Sequence, residues 1–488
     1  MTDKTPDSDV GGSTPISVPV TANTGAILAV GLDLQEGKVI PRKQVVSWAL
    51  WDWATQPFNT VITTFVFSVY ITSSLFIDPS IAALGVGHPD YDRAIAGLSS
   101  GIGIADVIAA LAIFALAPVL GQRSDASGRR KFWLGVNTGV VILCMAAMFF
   151  VEAKPAFFVL GAALIAAGNV FAEIAGVNYN AMLVQVSTPR TVGKVSGLGW
   201  GFGYLGGIVV LVLLYFTLIA GDSHLFGIGE ENGLNIRVVA VVCALWTLVF
   251  SIPILLFVPE VKPDSKRERV SFFRSYAVLA KDIVRLYHDH RHTFWFLLAS
   301  AVFRDGLAGV FRYGGIIAGA VFGFTFEQVL IFGIAANVVA GISTMISGFF
   351  DDRFGSRVVI LVSLGGLVVT ALTVFFAHDG GMIAFWVLGL ILCLFVGPAQ
   401  AASRSFLARV TPAGHEGQVF GLYATTGRAV SILTPTLWTI LIAIFGATYW
   451  GILGVAFVLA LGFVLLLLVK LPPHVRQSAK ASIPGSLS

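Results

Sequence analysis

A chain of 488 residues that is 56% hydrophobic and 12% charged, with a mean hydropathy of +0.85, carries about half the charged share of a water-soluble protein, which excludes the soluble classes. The net charge of +4 is no nucleic-acid signal, because the basic residues stand in separated loops and form no single patch. The three cysteines, Cys144, Cys243 and Cys393, fall inside apolar runs without ligand or disulfide spacing and read as packing residues.

Residues 1–45, rich in Ser, Thr, Pro, Gly and Asp, read as a disordered tail. The apolar patch from Ala26 to Leu32 is too short for a signal peptide. Apolar runs then predict spans near 47–77, 96–120, 132–151, 156–186, 196–220 and 237–258, the first half occupying 46–258. A basic linker covers 259–291. The second half, 292–471, holds spans near 292–320, 328–350, 358–377, 382–408, 418–445 and 448–470, and a tail of 472–488 follows. The fold class is an all-α polytopic membrane protein with twelve transmembrane helices. The 53 glycines suit close helix approach.

A basic cassette, Gly121 to Lys131 (GQRSDASGRRK), returns as Gly348 to Arg357 (GFFDDRFGSR). Both copies read glycine, aspartate four later (Asp125, Asp352), glycine three later (Gly128, Gly355) and arginine two later (Arg130, Arg357), with Arg129 beside the first arginine. Glycine suits the backbone of a tight turn between membrane helices, and cations suit its cytosolic side. The cassette follows the second long run of each half, so the chain reads as one six-helix unit copied and fused. The run from Asn180 (NAMLVQVSTPRTVGKVSG) likewise lines up with the run from Arg404 (RSFLARVTPAGHEGQVFG), 224 residues on.

Lys and Arg placement gives the orientation. Arg123, Arg129, Arg130, Lys131, Arg190, Lys194, Arg353, Arg357 and Arg409 lie in even-to-odd loops, whereas Arg93, Lys154 and Arg237 are the few beside spans on the other face. Both termini are therefore expected in the cytosol. In the linker, Phe272, Tyr276, Leu279, Ile283 and Leu286 recur at helical spacing among basic residues. An amphipathic helix on an anionic leaflet and a connector that only tethers the halves both fit.

Charges inside the spans are few and costly, so each should face a cavity or a partner. Asp52, Gln56, Asn59 and Thr63 share one face of the first span, and Asn169, Glu173, Gly176 and Asn180 one face of the fourth. Asp106, Asp305, Arg312 and Arg428 complete the expected cavity for a small-molecule solute; clasps between helices are the alternative. Buried carboxylates also admit proton coupling. No metal, cofactor or enzyme set emerges. The GFGYLG run at Gly201 lies mid-span with no preceding strand and reads as packing, not a dinucleotide fingerprint. His288 and His292 read as juxtamembrane polarity, and Trp48, Trp51 and Trp53 as an interfacial belt.

The cassettes resemble the loops between helices 2 and 3 and between helices 8 and 9 of the major facilitator superfamily, with Arg123 where an apolar residue is usual. That resemblance implies the major facilitator fold, two parallel six-helix repeats around a midplane site. A closer resemblance is to the vacuole-effluxer family, related to the fungal autophagy-associated vacuolar amino-acid exporter. It is carried by WDWATQPF from Trp51, YNAML from Tyr179, SGLGWGFGYLGG from Ser196, FRDG from Phe303 and GPAQAASRS from Gly397. The family usually has tyrosine where this chain has Trp51. A secondary carrier is implied, moving a small polar solute, amino acids among the candidates, by alternating access. The compact loops look bacterial and place it, as a monomer, in the lipid bilayer of the plasma (inner) membrane. The cassettes would act as latches, Asp125 and Asp352 holding loop arginines or a helix N-terminus. Drug–proton efflux is the alternative carrier, although the Gly-Pro pair of such antiporters is replaced here by Phe202-Gly203. A sensor or scaffold that kept the fold without transporting is the other class.

Overall fold

The computed structural model describes residues 31–85, 88–219, 228–229, 231–260, 272–289 and 291–469. The crossings are α1 (Arg42–Pro57, continued below), α2 (Pro89–Ser127), α3 (Arg130–Ala147), α4 (Phe158–Ala181), α5 (Val192–Leu214) and α6 (Leu234–Phe257) in the first half. The second half has α7 (Arg291–Ala320), α8 (Phe326–Phe354), α9 (Ser356–Phe376), α10 (Gly381–Val410), α11 (Glu416–Val430, resuming as Leu433–Phe445) and α12 (Gly451–Leu468). Among the described residues, eleven helices are long and apolar enough to cross a membrane. The twelfth crossing is α1, whose Asp52, Gln56 and Asn59 lower its apolarity.

Helix α1 changes winding at Pro57, passing into a π-helical stretch, Phe58–Phe65, and a last helical turn, Phe67–Ile71. Pro57 has no N–H for the Trp53 carbonyl, which instead receives the Trp246 indole at 3.4 Å. The Phe58 N–H bonds Thr55, and the Ala54 carbonyl takes the Thr247 hydroxyl at 2.9 Å. Two side chains of α6 thus satisfy backbone that the break leaves open, as backbone at membrane depth requires.

The halves meet chiefly where α2 packs on α11 and α5 on α8. The cassettes do not behave wholly as turns. Gly121 to Ser127 continue α2 and Gly348 to Phe354 continue α8; only Gly128 (φ +64°) and Gly355 (φ +88°) adopt the backbone that favours glycine. Gly121 and Gly348 are contact glycines: a Cβ would lie 2.1 Å from the Gly417 carbonyl oxygen at the first and 2.7 Å from that of Gly193 at the second. Gly121→Val is therefore expected to force α2 and α11 apart, at about 1–3 kcal/mol for overpacking. A thermal midpoint in detergent equal to that of the unsubstituted protein would contradict this.

Of the expected tail, residues 1–30 lie outside the described residues, but 31–45 are not a loose tail. Leu32 is buried, Asp33–Gln35 form one 3-10 turn, and α1 starts at Arg42 after Pro41. Of the linker, 261–271 lie outside the described residues, and Phe272–Asp289 is helical. The Tyr276 hydroxyl donates to the Ala115 carbonyl of α2 at 3.2 Å, and Leu286 is buried. The C-terminal tail, 472–488, lies outside the described residues.

Candidate functional site

The face that carries the start of α1 and the cassettes, here the tail face, is closed by two related contacts. At the end of α2, the buried Asp125 accepts the Gly417 N–H (3.0 Å) and the Gln418 N–H (2.9 Å) at the start of α11. At the end of α8, Asp352 accepts the Gly193 N–H (2.7 Å) and the Lys194 N–H (3.0 Å) at the start of α5. Gly193 and Lys194 stand in the repeat where Gly417 and Gln418 stand in the other copy, so each half caps a helix of its neighbour. The first N–H groups of a helix lack internal partners and carry partial positive charge, which a carboxylate satisfies.

The arginines at the two contacts differ. Arg130 bonds Asp125 (2.5 Å) and crosses to Glu416 (2.6 Å), all three buried. Arg357, the matching cassette residue, instead donates to the Leu467 carbonyl at 2.8 Å. Arg409, from the end of α10, bonds Asp351 and reaches Asp352 at 3.1 Å. Arg129 is exposed and stands just before α3, at its N-cap.

Deeper in the bundle, ten residues along α1 and so about 15 Å from its start, lies a polar node. Asp52 Oδ2 accepts the Tyr179 hydroxyl at 2.8 Å and Arg404 Nη1 at 3.3 Å. Arg404 also donates from Nη1 to Asn180 Oδ1 (3.2 Å), from Nε to Ser196 Oγ (3.0 Å) and from Nη2 to the Ser196 carbonyl (2.6 Å). Asn180 and Arg404 occupy one position of the repeat, so equivalent residues of the two halves touch. The Tyr179 ring is stacked between Trp48 (4.3 Å) and Trp51 (4.4 Å). The Trp48 and Trp51 indoles donate to the Tyr179 carbonyl (3.0 Å) and Thr138 Oγ1 (3.1 Å). These two tryptophans are thus buried and no interfacial belt: each indole N–H finds a partner inside. Gly199 leaves room for the node, since a Cβ there would come within 2.8 Å of both Arg404 Nη2 and the Tyr179 hydroxyl.

Four of the five resemblance-bearing motifs meet here: WDW on α1, YN on α4, the glycine run on α5 and the SRS of α10. That glycine run is a packing element. Gly203 and Gly207 face Gln56 and Thr60 of α1, while Gly197 and Gly201 face Thr344, Met345 and Gly341 of α8. Gln56 is therefore half-buried against α5, and Asn59 beyond it is exposed.

Nearer mid-depth, Glu173 of α4 and Arg428 of α11 form a further ion pair between the halves, at 2.9 Å, both about a third exposed or more (32% and 41%). Asp106 and Arg312 are exposed. Arg428 sits in the last turn before α11 breaks at Ser431 and Ile432. Asp305 departs from the expected cavity role. It is buried and caps the resumed α11, accepting the Thr434 N–H and hydroxyl, each at 2.7 Å. Its neighbour Arg304 donates to the Tyr423 carbonyl and lies 3.4 Å from the Tyr423 ring. Arg404, Tyr179, Glu416 and Arg409 were not among the sequence candidates. The repeat alignment held the signal for Arg404, a cation in one copy opposite an amide in the other.

The architecture is that of solved major facilitator carriers. It is similar to the proton:xylose symporter XylE (TM-score 0.65, 14% identity, 88% of this chain and 96% of that one) and to the human organic anion transporter MFSD10 (0.64, 16%, 87% and 99%). The chain is also similar to an uncharacterized MFS-type transporter, YxiO of Bacillus subtilis strain 168, 24% identical over 88% of this chain and 95% of the relative. It is a multi-pass transporter of the major facilitator type. Within that class, residues 185–479 match the family described as vacuole effluxer Atg22 like, and the protein belongs to that family. Autophagy-related protein 22 of Cryptococcus neoformans (serotype D, strain B-3501A) is 24% identical over 50% of this chain and 46% of its own length; the match spans about half of that fungal relative.

Proposed function

We propose that this transporter moves a small zwitterionic solute, an amino acid, across the plasma membrane by alternating access, with the tail face in the cytosol. The carrying observation is the Glu173–Arg428 pair, a carboxylate from one half and a guanidinium from the other, 2.9 Å apart and each partly exposed. A solute ammonium matches Glu173 and Asp106, and its carboxylate matches the fork of Arg428, with Arg312 beyond. The tail-face latches close the path beneath, and their release would open it to the cytosol. Proton coupling would run through Asp52: when the second half withdraws Arg404, the carboxylate loses its counter-ion and takes up a proton instead. The retained pairs, both between halves, also weigh against a scaffold that no longer transports.

A thermal-shift screen against amino acids, peptides and sugars, followed by counterflow in liposomes, tests this reading. A pair as exposed as Glu173–Arg428 contributes at most about 1 kcal/mol to stability, so Glu173→Gln and Arg428→Gln are expected to fold normally. Each should raise the KM of the transported amino acid about tenfold, the equivalent of about 1.4 kcal/mol. Wild-type counterflow by both variants, or no amino acid exchanged by the unsubstituted protein, would sink the assignment.

A further inference from the structure

The segment before α1 belongs by connectivity to the first half, yet it sits on the second. The Gly31 N–H donates to the Thr411 carbonyl at 3.3 Å. Gly31 lies directly against Glu416: a Cβ there would stand 2.1 Å from Oε1. Leu32 is 1% exposed and packs in the apolar cluster that runs through both halves. Glu416 is the carboxylate that also receives Arg130 at 2.6 Å, so this segment and the α2 latch converge on one side chain of α11. Pro41 and Arg42 then feed the chain directly into α1.

We propose that residues 31–41 form a strap that holds the tail face shut, restraining the opening that alternating access requires. The proposal rests on that reading of transport. The halves cannot part here without breaking the Gly31–Thr411 bond and bringing Leu32 into water. Two features make the contact a device and not mere packing: it bridges the halves, and it shares Glu416 with the latch. The strap sets the resting population of the closed state, and whatever draws it off the α10–α11 turn favours opening.

The test uses the full-length protein in nanodiscs, with spin labels at Arg190→Cys of the first half and Arg353→Cys of the second, both exposed on the tail face. The three native cysteines are buried. Leu32→Asp, and separately deletion of residues 2–37, should raise the share of long label distances about tenfold, the population equivalent of exposing one buried leucine. Leu32→Ala should shift it less in the same direction. Deletion of residues 2–30, which ends before the strap, should leave the distribution unchanged. Unchanged distances in Leu32→Asp and in the 2–37 deletion, or opening as large in the 2–30 deletion, overturn the strap. The Asp125→Ala, Asp352→Ala protein separates the two failures. If it opens while the strap variants stay closed, only the strap is wrong; if it too stays closed, the alternating-access reading falls with it.

Discussion

Arg404→Met is expected to abolish transport and to lower stability by about 3–5 kcal/mol, the usual cost of removing one partner of a buried ion pair. The Arg404 side chain is 4% exposed and that of Asp52 17%, so the carboxylate left behind cannot be rescued by bulk water. Tyr179 alone, donating one hydrogen bond, does not replace a guanidinium. Arg404→Lys should restore little, with transport still reduced about a hundredfold, since one ammonium cannot serve Ser196, Asn180 and Asp52 from three nitrogens at once. The informative variant is Asp52→Asn combined with Arg404→Met. Removing both charges should return the thermal midpoint close to that of the unsubstituted protein while leaving counterflow absent. Normal counterflow in that double variant would reduce the node to a clasp between helices.

The second large effect concerns the latches. In the Asp125→Ala, Asp352→Ala protein, four backbone N–H groups at the starts of α11 and α5 lose their carboxylate acceptors across the halves. Hydrogen bonds to a charged group contribute a net of about 1.5–3 kcal/mol each. Retaining only one such increment per latch, the closed state loses about 3 kcal/mol or more, a hundredfold or greater change in its ratio to the open state. Distances between labels at residues 190 and 353 measure this directly. The single variants should not be equal. Loss of Asp125 also strips a carboxylate from the buried Arg130, which keeps Glu416 and the Ala181 carbonyl, whereas loss of Asp352 leaves Arg409 its bond to Asp351. Asp125→Ala is therefore the more destabilising of the two.

Both effects depend on contacts between halves, the part of the structure that linear order records least. Apolar runs of membrane length settled that the chain crosses a bilayer, and the two cassettes settled that it does so as a duplicated unit, because helix length and tight turns are local properties. That Asp125 and Asp352 should meet a helix N-terminus was implied by the resemblance of the cassettes, and each accepts two N–H groups there. Packing partners were not legible. Gly121 looked like a turn residue because glycine serves turns and close contacts alike, and only the 2.1 Å space against Gly417 separates the two. Asp305 looked like a cavity residue because spacing gives a face and never says what the face meets; it meets the broken start of the second segment of α11. Arg404 stood in the repeat alignment but not among the expected cavity residues, because no spacing within α10 shows that it meets Asp52.

The amino-acid sequence by itself determined the class, the twofold plan and the few charges that must be satisfied inside the membrane, because burying an ion or a backbone group in hydrocarbon is costly whatever the fold. Which charge answers which was decided by tertiary structure alone. Asp52 and Arg404 are 352 positions apart, and no periodicity within one helix can select a partner on another.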